Sequence, residues 1–153
     1  MRGSISYEER DKIVKSCHKV VFISSWIQQR FFTSFKNADL SNSIIIPHGI
    51  KKISTINLTK KQKNILFVGK LNHAKGYHIF ADAALKFKKK NPEWNFIAIG
   101  NEARKNIFPD KKIITEIGYK KNSEVLNFYS KSEIAVGNSV WDEPLGRIAI
   151  EAS

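Results

Sequence analysis

Cysteine, acidic residues and long apolar runs are scarce in this sequence, and each shortage excludes a class of protein. Cys17 is the single cysteine, which excludes an internal disulfide framework and a CxxC metal knuckle and fits a reducing cytoplasm. No apolar run approaches the roughly 18 residues that span a bilayer. The opening MRGSISYEERDK also lacks the apolar stretch of a secretory signal. We expect a cytoplasmic protein that is soluble or peripheral at the inner face of the membrane.

Basic residues outnumber acidic ones, with Lys+Arg 26 against Asp+Glu 14 and a formal net charge of +12. Such an excess attracts nucleic acid, anionic lipid or phosphorylated substrates. The lysine clusters follow helix ends and loops: Lys51 to Lys52, Lys60 to Lys63, Lys86 to Lys90, Lys111 to Lys112 and Lys120 to Lys121. This spread favours general solubilising charge over one polyanion face. Without an RNA-recognition signature or a zinc finger, nucleic acid is the less favoured partner.

The first part of the chain predicts a small number of α/β elements followed by a linker. The expected elements are a helix at Tyr7 to Ser16, a strand at Lys19 to Ser24, a helix at Ser25 to Phe35 and a short strand in SIIIPHG. The polar stretch from Ile50 to Asn64 has little periodicity and is typical of a linker. We therefore place a domain boundary near residue 55.

The second part alternates regularly between apolar strands and amphipathic helices. Strands are expected at Asn64 to Gly69, Trp94 to Gly100, Lys112 to Gly118 and Glu133 to Gly137, and helices at Lys75 to Lys90, Ser123 to Lys131 and from about Gly146. Continuous apolar strands separated by helices indicate a parallel sheet covered on both faces. The predicted fold class is α/β, with a doubly wound parallel sheet preceded by a partial α/β piece.

Both ends of the sequence suggest part of a longer protein. The two strands expected in the first fifty residues are too few to enclose a core, and the last helix stops after barely two turns. The expected organisation is an incomplete domain tail with its linker at residues 1–54 and a second, truncated domain at residues 55–153.

The loop VGKLNHAKG follows the first strand of the second part and carries two cations. In open parallel sheets ligands bind beyond the carboxyl ends of the strands, so Lys70 and Lys75 lie where they can clamp a diphosphate. The spacing of Gly69 and Gly76 matches neither a Walker loop nor a dinucleotide fingerprint. Taken alone, the pattern favours solvated loop charges.

A later loop, GNSVWDEPLGRIAIEAS, places two acids eight residues apart. If the segment were helical throughout, Glu143 and Glu151 would be separated by on the order of 10 Å, enough to reach opposite ends of a nucleotide sugar. Each carboxylate accepts hydrogen bonds from vicinal hydroxyls, and the backbone amides of Leu145 to Arg147 lie between them. The alternative for Glu151 is an exposed helix charge, although the apolar IAI before it favours a buried position.

Metal-binding signals are weak. The sequence has no DxD, Asp142 beside Glu143 is a poor site by itself, and the spacing of His73 and His78 does not suit two ligands on one helix face. We therefore expect no metal and no cofactor.

Taken together, these segments resemble the retaining GT-B glycosyltransferases of family 4, also called glycosyl transferases group 1. EPLGRIAIEA resembles the family's E-x7-E signature, and ILFVGKLNHAKG resembles the strand and phosphate loop that open its C-terminal, Rossmann-like domain. SIIIPHGI resembles the segment entering that domain, and VVFISSWIQQRFF is similar to the last strand and helix of the N-terminal domain. The resemblance covers nearly the whole chain, with the motifs in the family's order.

The resemblance implies roles for individual residues. Glu143 would be the catalytic residue that contacts the donor sugar, and Glu151 would hold the ribose hydroxyls. Lys70, where the family usually has arginine, would bind the donor diphosphate together with Lys75. The full set of implied donor-binding residues is Gly69, Lys70, Lys75, Leu145, Gly146 and Glu151. His48 is not expected to be catalytic.

Three functions remain open from the sequence. The leading one is the donor half of a glycosyltransferase that makes cell-envelope polysaccharide or glycolipid from a nucleotide-sugar donor and a sugar or glycolipid acceptor. That enzyme would need a missing N-terminal domain, and the chain alone is expected to be inactive. The second is a nucleotide-sugar epimerase of the same fold. The third is a basic, noncatalytic module for nucleic acid or anionic membrane.

Overall fold

The chain forms two compact α/β units, residues Met1–Gly49 (unit 1) and Ile50–Ser153 (unit 2). The computed structural model describes residues 5–33, 35, 40–49, 60–103 and 112–153. The expected domain boundary near residue 55 lies outside these described residues. Within them, the structure contains no helix with both the length and the apolar character needed to cross a bilayer.

Unit 1 consists of two short parallel strands and two helices. Its elements are α1 (Tyr7–Ser16), β1 (Val20–Phe22), α2 (Ser25–Phe32) and β2 (Ser43–Ile45). Helix α1 begins at a reciprocal cap, because Ser6 Oγ accepts from the Glu9 N–H at 3.2 Å and Glu9 Oε2 accepts from the Ser6 N–H at 2.8 Å. Phe22 of β1 and Phe32 of α2 are buried, with ring centroids 5.9 Å apart. These rings join the first strand to the second helix.

Unit 2 contains a four-stranded parallel sheet with the strand order β5-β4-β3-β6. Its elements are β3 (Gln62–Val68), α3 (Tyr77–Lys88), β4 (Asn95–Ile99), β5 (Ile114–Glu116), α4 (Asn122–Lys131), β6 (Ser132–Val136) and α5 (Arg147–Ala152). The chain passes from β3 to β4 and β5 on one side and later places β6 on the other side of β3. The order therefore reverses between β3 and β6, where open α/β sheets bind ligands.

Helices cover both faces of this sheet, as the apolar strands predict. Phe67 faces the helix α3 side, where it meets Tyr77 at a centroid distance of 5.2 Å. Leu66, its neighbour in the strand, points to the opposite face and belongs to a second core with Val125 and Tyr129 of α4. The doubly wound α/β class is therefore confirmed.

The predicted helices and strands are present, with differences at their ends. Helix α3 begins at Tyr77 instead of Lys75, because Gly76 is its N-cap and adopts a left-handed conformation with φ 74°. Helix α2 ends at Phe32 instead of Phe35. Gln62 to Asn64 belong to β3, so the expected linker is shorter at its carboxyl end.

Alanine substitutions at Gly76 and Gly118 distinguish the free-energy cost of a left-handed backbone from the cost of a close contact. Both have φ near +73° (74° and 72°), but a Cβ at Gly76 would lie 2.0 Å from the backbone oxygen of Asn138, whereas one at Gly118 meets nothing within 4 Å. Gly118→Ala should lower the free energy of unfolding by about 1–2 kcal/mol through backbone strain. Gly76→Ala adds overpacking and should cost about 2–5 kcal/mol. Urea unfolding followed by circular dichroism measures both, and equal losses would contradict the contact.

Candidate functional site

Glycines end all four strands of unit 2 and allow the loops beyond them to approach closely. Gly69 directly follows β3, Gly100 follows β4 and Gly137 follows β6. Gly118 follows β5 after one intervening residue. A Cβ at Gly100 would lie 1.8 Å from the backbone oxygen of Gly69, so no other residue fits there without movement. Gly69, Gly100 and Gly118 have positive φ. These four glycines therefore lie side by side along the carboxyl edge of the sheet.

Two loops meet above the switch point between β3 and β6. We call residues 69–76 the phosphate loop and residues 137–146 the acidic loop. The Val140 N–H donates to the Ala74 carbonyl at 3.0 Å, and Asn138 Nδ2 donates to the Gly76 carbonyl at 2.8 Å. Within the phosphate loop, Asn72 Oδ1 accepts from the Lys75 N–H at 3.0 Å. These bonds fix the backbone on which Lys75 and the acidic loop face one another.

Lys75 and Glu143 form an ion pair that joins the two loops. The same carboxylate oxygen, Glu143 Oε1, also accepts from Ser139 Oγ at 2.6 Å and from Trp141 Nε1 at 3.2 Å. Lys75 Nζ lies 5.1 Å from the centroid of the Trp141 ring. The side chains of Lys75 and Glu143 are only 30% and 18% exposed, so the pair is partly desolvated. Glu143 Oε1 therefore accepts hydrogen bonds from three side chains.

These donors determine the charge state of Glu143. Burial is the largest single influence and would raise the pKa of this carboxyl group. Hydrogen bonds from Lys75, Ser139 and Trp141, together with the Lys75 charge, outweigh burial and hold the pKa below its ordinary value of 4.5. Glu143 is therefore ionised near neutral pH and acts as a hydrogen-bond acceptor.

Glu151 lies on helix α5 and is the more buried of the two acids, with 10% of its side chain exposed. Its Oε1 accepts from Arg147 Nη2 at 2.6 Å, one helical turn earlier, and from Asn122 Nδ2 at 3.5 Å. Tyr129 lies in the core beneath. Its pKa is raised by burial and then by the negative charge of Glu151. A buried carboxylate with a charged partner fits the expectation for Glu151 better than an exposed helix charge does.

Both acids line one open cavity of about 250 Å³. The lining residues are Val68, Lys75, Glu143, Leu145, Arg147, Ile148 and Glu151. A second cavity of about 250 Å³ shares Glu143 and Ile148 with the first and also includes Ser139, Trp141 and Gly146. The spacing of about 10 Å assumed a single helix through both acids, but only Arg147–Ala152 is helical, and Glu143 lies in the loop. Glu143 from the loop and Glu151 from helix α5 nevertheless line the same cavity.

Of the predicted site residues, Gly69 and Lys70 line neither of these two cavities. Lys70 is exposed, and its ammonium has no partner among the described residues, although it follows Gly69 at the start of the phosphate loop. Gly69 supplies the turn, and its N–H donates to the Ile99 carbonyl at 2.9 Å.

His73 and His78 lie closer together than their sequence spacing suggests. Only His78 belongs to helix α3, and the two ring centroids are 4.3 Å apart. Even so, the described part of the chain contains no group of three or more His, Cys, Asp or Glu residues placed to hold a metal ion.

Sequence reasoning missed Ser139, Trp141 and Arg147, each of which holds one of the acids. Ser139 and Trp141 precede Glu143 by four and two residues in an irregular loop, where no periodicity reveals which side chain turns inward. Their position directly after a sheet strand was the available signal. Arg147 was detectable as the residue one helical turn before Glu151.

Two sequence comparisons relate this chain to known proteins. A family model described as "Glycosyl transferases group 1" matches residues 50–153. Spore coat protein SA of Bacillus subtilis (strain 168) is 30% identical over 104 residues. That alignment covers 60% of this chain and 28% of the relative, so the chain spans little more than a quarter of the curated relative's length.

Solved structures share the fold. A TarM mutant from S. aureus, in complex with fondaparinux, alpha-GlcNAc-glycerol and UDP, matches with a TM-score of 0.75 at 15% identity over 95% of this chain and 29% of that one. WaaG, a glycosyltransferase involved in lipopolysaccharide biosynthesis, matches with a TM-score of 0.69 at 12% identity over 99% of this chain and 52% of that one. With the family match extending over most of its length, the chain belongs to the glycosyl transferases group 1 family.

Proposed function

We propose that this chain supplies the donor-binding part of a retaining, family 4 glycosyltransferase that moves a sugar from a nucleotide-sugar donor to an acceptor. The observation that carries the proposal is the shared cavity in which Lys75, Glu143 and Glu151 meet. Two cations, Lys75 and Arg147, and two carboxylates in one cleft suit a ligand that has an anionic bridge between two polyhydroxylated ends.

Glu143 is the group proposed to contact the donor sugar. Its Oε1 is occupied by three donors, whereas Oε2 has no hydrogen-bond donor among the described residues. An ionised carboxylate with one fixed and one available oxygen is pre-oriented to accept from a sugar hydroxyl. Ser139 and Trp141 then act as positioning residues for Glu143.

Lys75 is the group proposed to bind the donor diphosphate. In the structure its ammonium pairs with Glu143, so a donor must take this cation from the acid. Negative charge develops on the leaving diphosphate during glycosyl transfer, and a fixed cation that strengthens its contact with that charge lowers the barrier. Lys70 is proposed to reach the diphosphate from its exposed position, and the backbone amides of Leu145 and Gly146 are proposed to contribute further donors.

Glu151 is proposed to accept hydrogen bonds from the ribose hydroxyls of the donor. TarM was solved with UDP, which supports a uridine diphosphate sugar as the donor class. Each cavity, at about 250 Å³, is slightly smaller than the roughly 300–1,000 Å³ of small-molecule pockets, so other surfaces are needed to enclose a whole donor. We propose that an N-terminal domain provides them and binds the acceptor, a sugar or glycolipid of the cell envelope, as the likeness to WaaG suggests.

Binding of UDP and of pyrophosphate separates the roles of Lys75 and Glu151. Lys75→Gln should weaken the binding of both ligands at least about tenfold, because a tenfold loss needs only about 1.4 kcal/mol and the variant removes a charged phosphate contact. Glu151→Gln should weaken UDP binding to a similar degree and leave pyrophosphate binding unchanged, because only UDP carries ribose. Isothermal titration calorimetry on the chain measures all four affinities.

Lys89→Gln is the matched control for this experiment, because it makes the same change of charge at the opposite edge of the sheet. It should leave both affinities at the level of the unmodified chain. An equal loss in the Lys75 and Lys89 variants would mean that UDP responds to net charge alone, and the proposed phosphate site would be wrong.

Comparison of UDP with UDP-glucose and UDP-N-acetylglucosamine tests Glu143. Glu143→Gln releases Lys75 from its ion pair, so UDP itself should bind as tightly as before or more tightly. The additional affinity that a UDP-sugar has over UDP should fall, because the ionised acceptor for the sugar hydroxyl is gone. Saturation-transfer NMR on the sugar protons checks the contact directly. A UDP-sugar preference that survives Glu143→Gln for both sugars would overturn the assignment.

The depressed pKa of Glu143 predicts a pH-dependent contribution to stability. A carboxyl group whose pKa is lowered by folding stabilises the fold above its unfolded pKa and loses that contribution as the pH falls through the folded value. The difference in unfolding free energy between the unmodified chain and Glu143→Gln should be about 1–2 kcal/mol near neutral pH. It should shrink as the pH falls below the ordinary value of 4.5. Urea unfolding across this range measures it, and a constant difference would contradict the charged network.

A further inference from the structure

The fold gathers lysines that are scattered along the sequence onto the amino edge of the unit 2 sheet. In a parallel α/β unit every helix ends where the next strand begins, so helix carboxyl ends and strand amino ends share one edge. Strands β3, β4, β5 and β6 begin there, and helices α3 and α4 end there. The amino-edge lysines are Lys60, Lys61, Lys63, Lys86, Lys88, Lys89, Lys90, Lys112 and Lys131.

Acidic residues do not balance these charges. Among the described residues only Glu93 and Glu133 lie at this edge, and Glu93 pairs with Lys63 at 3.1 Å. The four lysines at the end of α3 and in the turn after it have no acidic partner in the described chain. The carboxyl edge differs, because Lys75 pairs there with Glu143 and Lys120 with Glu124. Uncompensated positive charge is thus concentrated at the edge opposite the donor cavity.

Apolar side chains are interspersed with the lysines at the end of helix α3. Leu85 is 42% exposed and Phe87 is 37% exposed. The Phe87 ring packs edge-on against Trp94, with centroids 5.8 Å apart, and the exposed Pro92 lies in the turn between them. Lysine alternating with exposed leucine and aromatic side chains is the composition that binds at a membrane interface.

We propose that the amino edge of the unit 2 sheet is a docking surface for an anionic lipid bilayer. Each lysine near an anionic membrane strengthens attachment about fivefold, so engagement of a few of these lysines is enough for reversible attachment. Lipid fits this edge better than nucleic acid does, because none of the described residues at the edge is arginine, the side chain that reads bases and stacks on them. The proposal does not depend on donor binding.

Docking by this edge leaves the candidate site accessible. The seven residues of β3 separate the two edges by about 23 Å at about 3.3 Å per residue. That distance exceeds the Debye length of about 8 Å at physiological ionic strength, so lipid headgroups at the amino edge are screened from Lys75. A nucleotide sugar can therefore enter the cavity while the lysines hold the bilayer.

Vesicle co-sedimentation of the whole chain tests the proposal. The chain should bind vesicles of phosphatidylglycerol mixed with phosphatidylcholine at about 0.1 M salt, should leave them at about 0.5 M salt, and should not bind pure phosphatidylcholine. Replacing the four lysines at 86, 88, 89 and 90 by glutamine should weaken binding at least about tenfold. Circular dichroism checks that this variant folds.

The matched control replaces Lys12 and Lys15 of unit 1 and Lys120 and Lys121 at the carboxyl edge of unit 2 by glutamine, which makes the same change of net charge and leaves every amino-edge lysine in place. It should bind the mixed vesicles within about twofold of the unmodified chain. Equal losses in the two variants would overturn the proposal, because attachment would then follow net charge and no particular surface.

Leu85→Gln distinguishes lipid from nucleic acid. It should weaken vesicle binding, because an exposed apolar side chain enters the interface, and should not change binding of a DNA oligonucleotide. Tighter binding of the oligonucleotide than of the vesicles, with equal dependence on the four lysines and no effect of Leu85→Gln, would assign the edge to nucleic acid and overturn the lipid proposal.

Discussion

The ion pair between Lys75 and Glu143 is the interaction on which the candidate site depends. It joins residues 68 positions apart and closes the gap between the loops that follow β3 and β6. Because both side chains are largely shielded from water, separating them without a substitute would leave two poorly solvated charges. A ligand that offers a phosphate to the lysine and a hydroxyl to the acid supplies both substitutes at once. The proposed nucleotide sugar carries both groups, whereas a plain anion offers a partner only to the lysine.

The pair can form only because glycine removes side chains from the backbone crossings beneath it. Gly100 lies against the Gly69 carbonyl, and Gly76 lies against Asn138. A Cβ at Gly76 would push the two loops apart, and a Cβ at Gly100 would displace the start of the phosphate loop. Since Lys75 precedes Gly76 directly, a displacement of the loop would move the backbone that carries the ammonium relative to Glu143. The glycines thus set the geometry of the site without touching a ligand.

Much of the fold was predictable from the sequence, because alternating apolar strands and amphipathic helices permit few arrangements. Helix α1 and the positions of all six strands follow from periodicity. The start of α3 did not, because the left-handed Gly76 depends on its contact with Asn138, which is distant in sequence. Glu143 and Glu151 were identifiable by motif, whereas Ser139 and Trp141 were not, since an irregular loop has no period. Lys70 was identified from its position in the motif, where the family usually has arginine, but its side chain lines neither cavity.

The distribution of lysine shows most clearly why topology must be known before charge is interpreted. In sequence the clusters look dispersed, and a dispersed pattern argues for plain solubility. In a parallel sheet, however, each crossover helix returns the chain to the same edge. Lysine clusters that recur once per crossover therefore lie together at that edge. Residues after the strands collect at the opposite edge by the same rule. One topological constraint therefore assembles the candidate site and the basic surface, and it also separates them by the length of a strand.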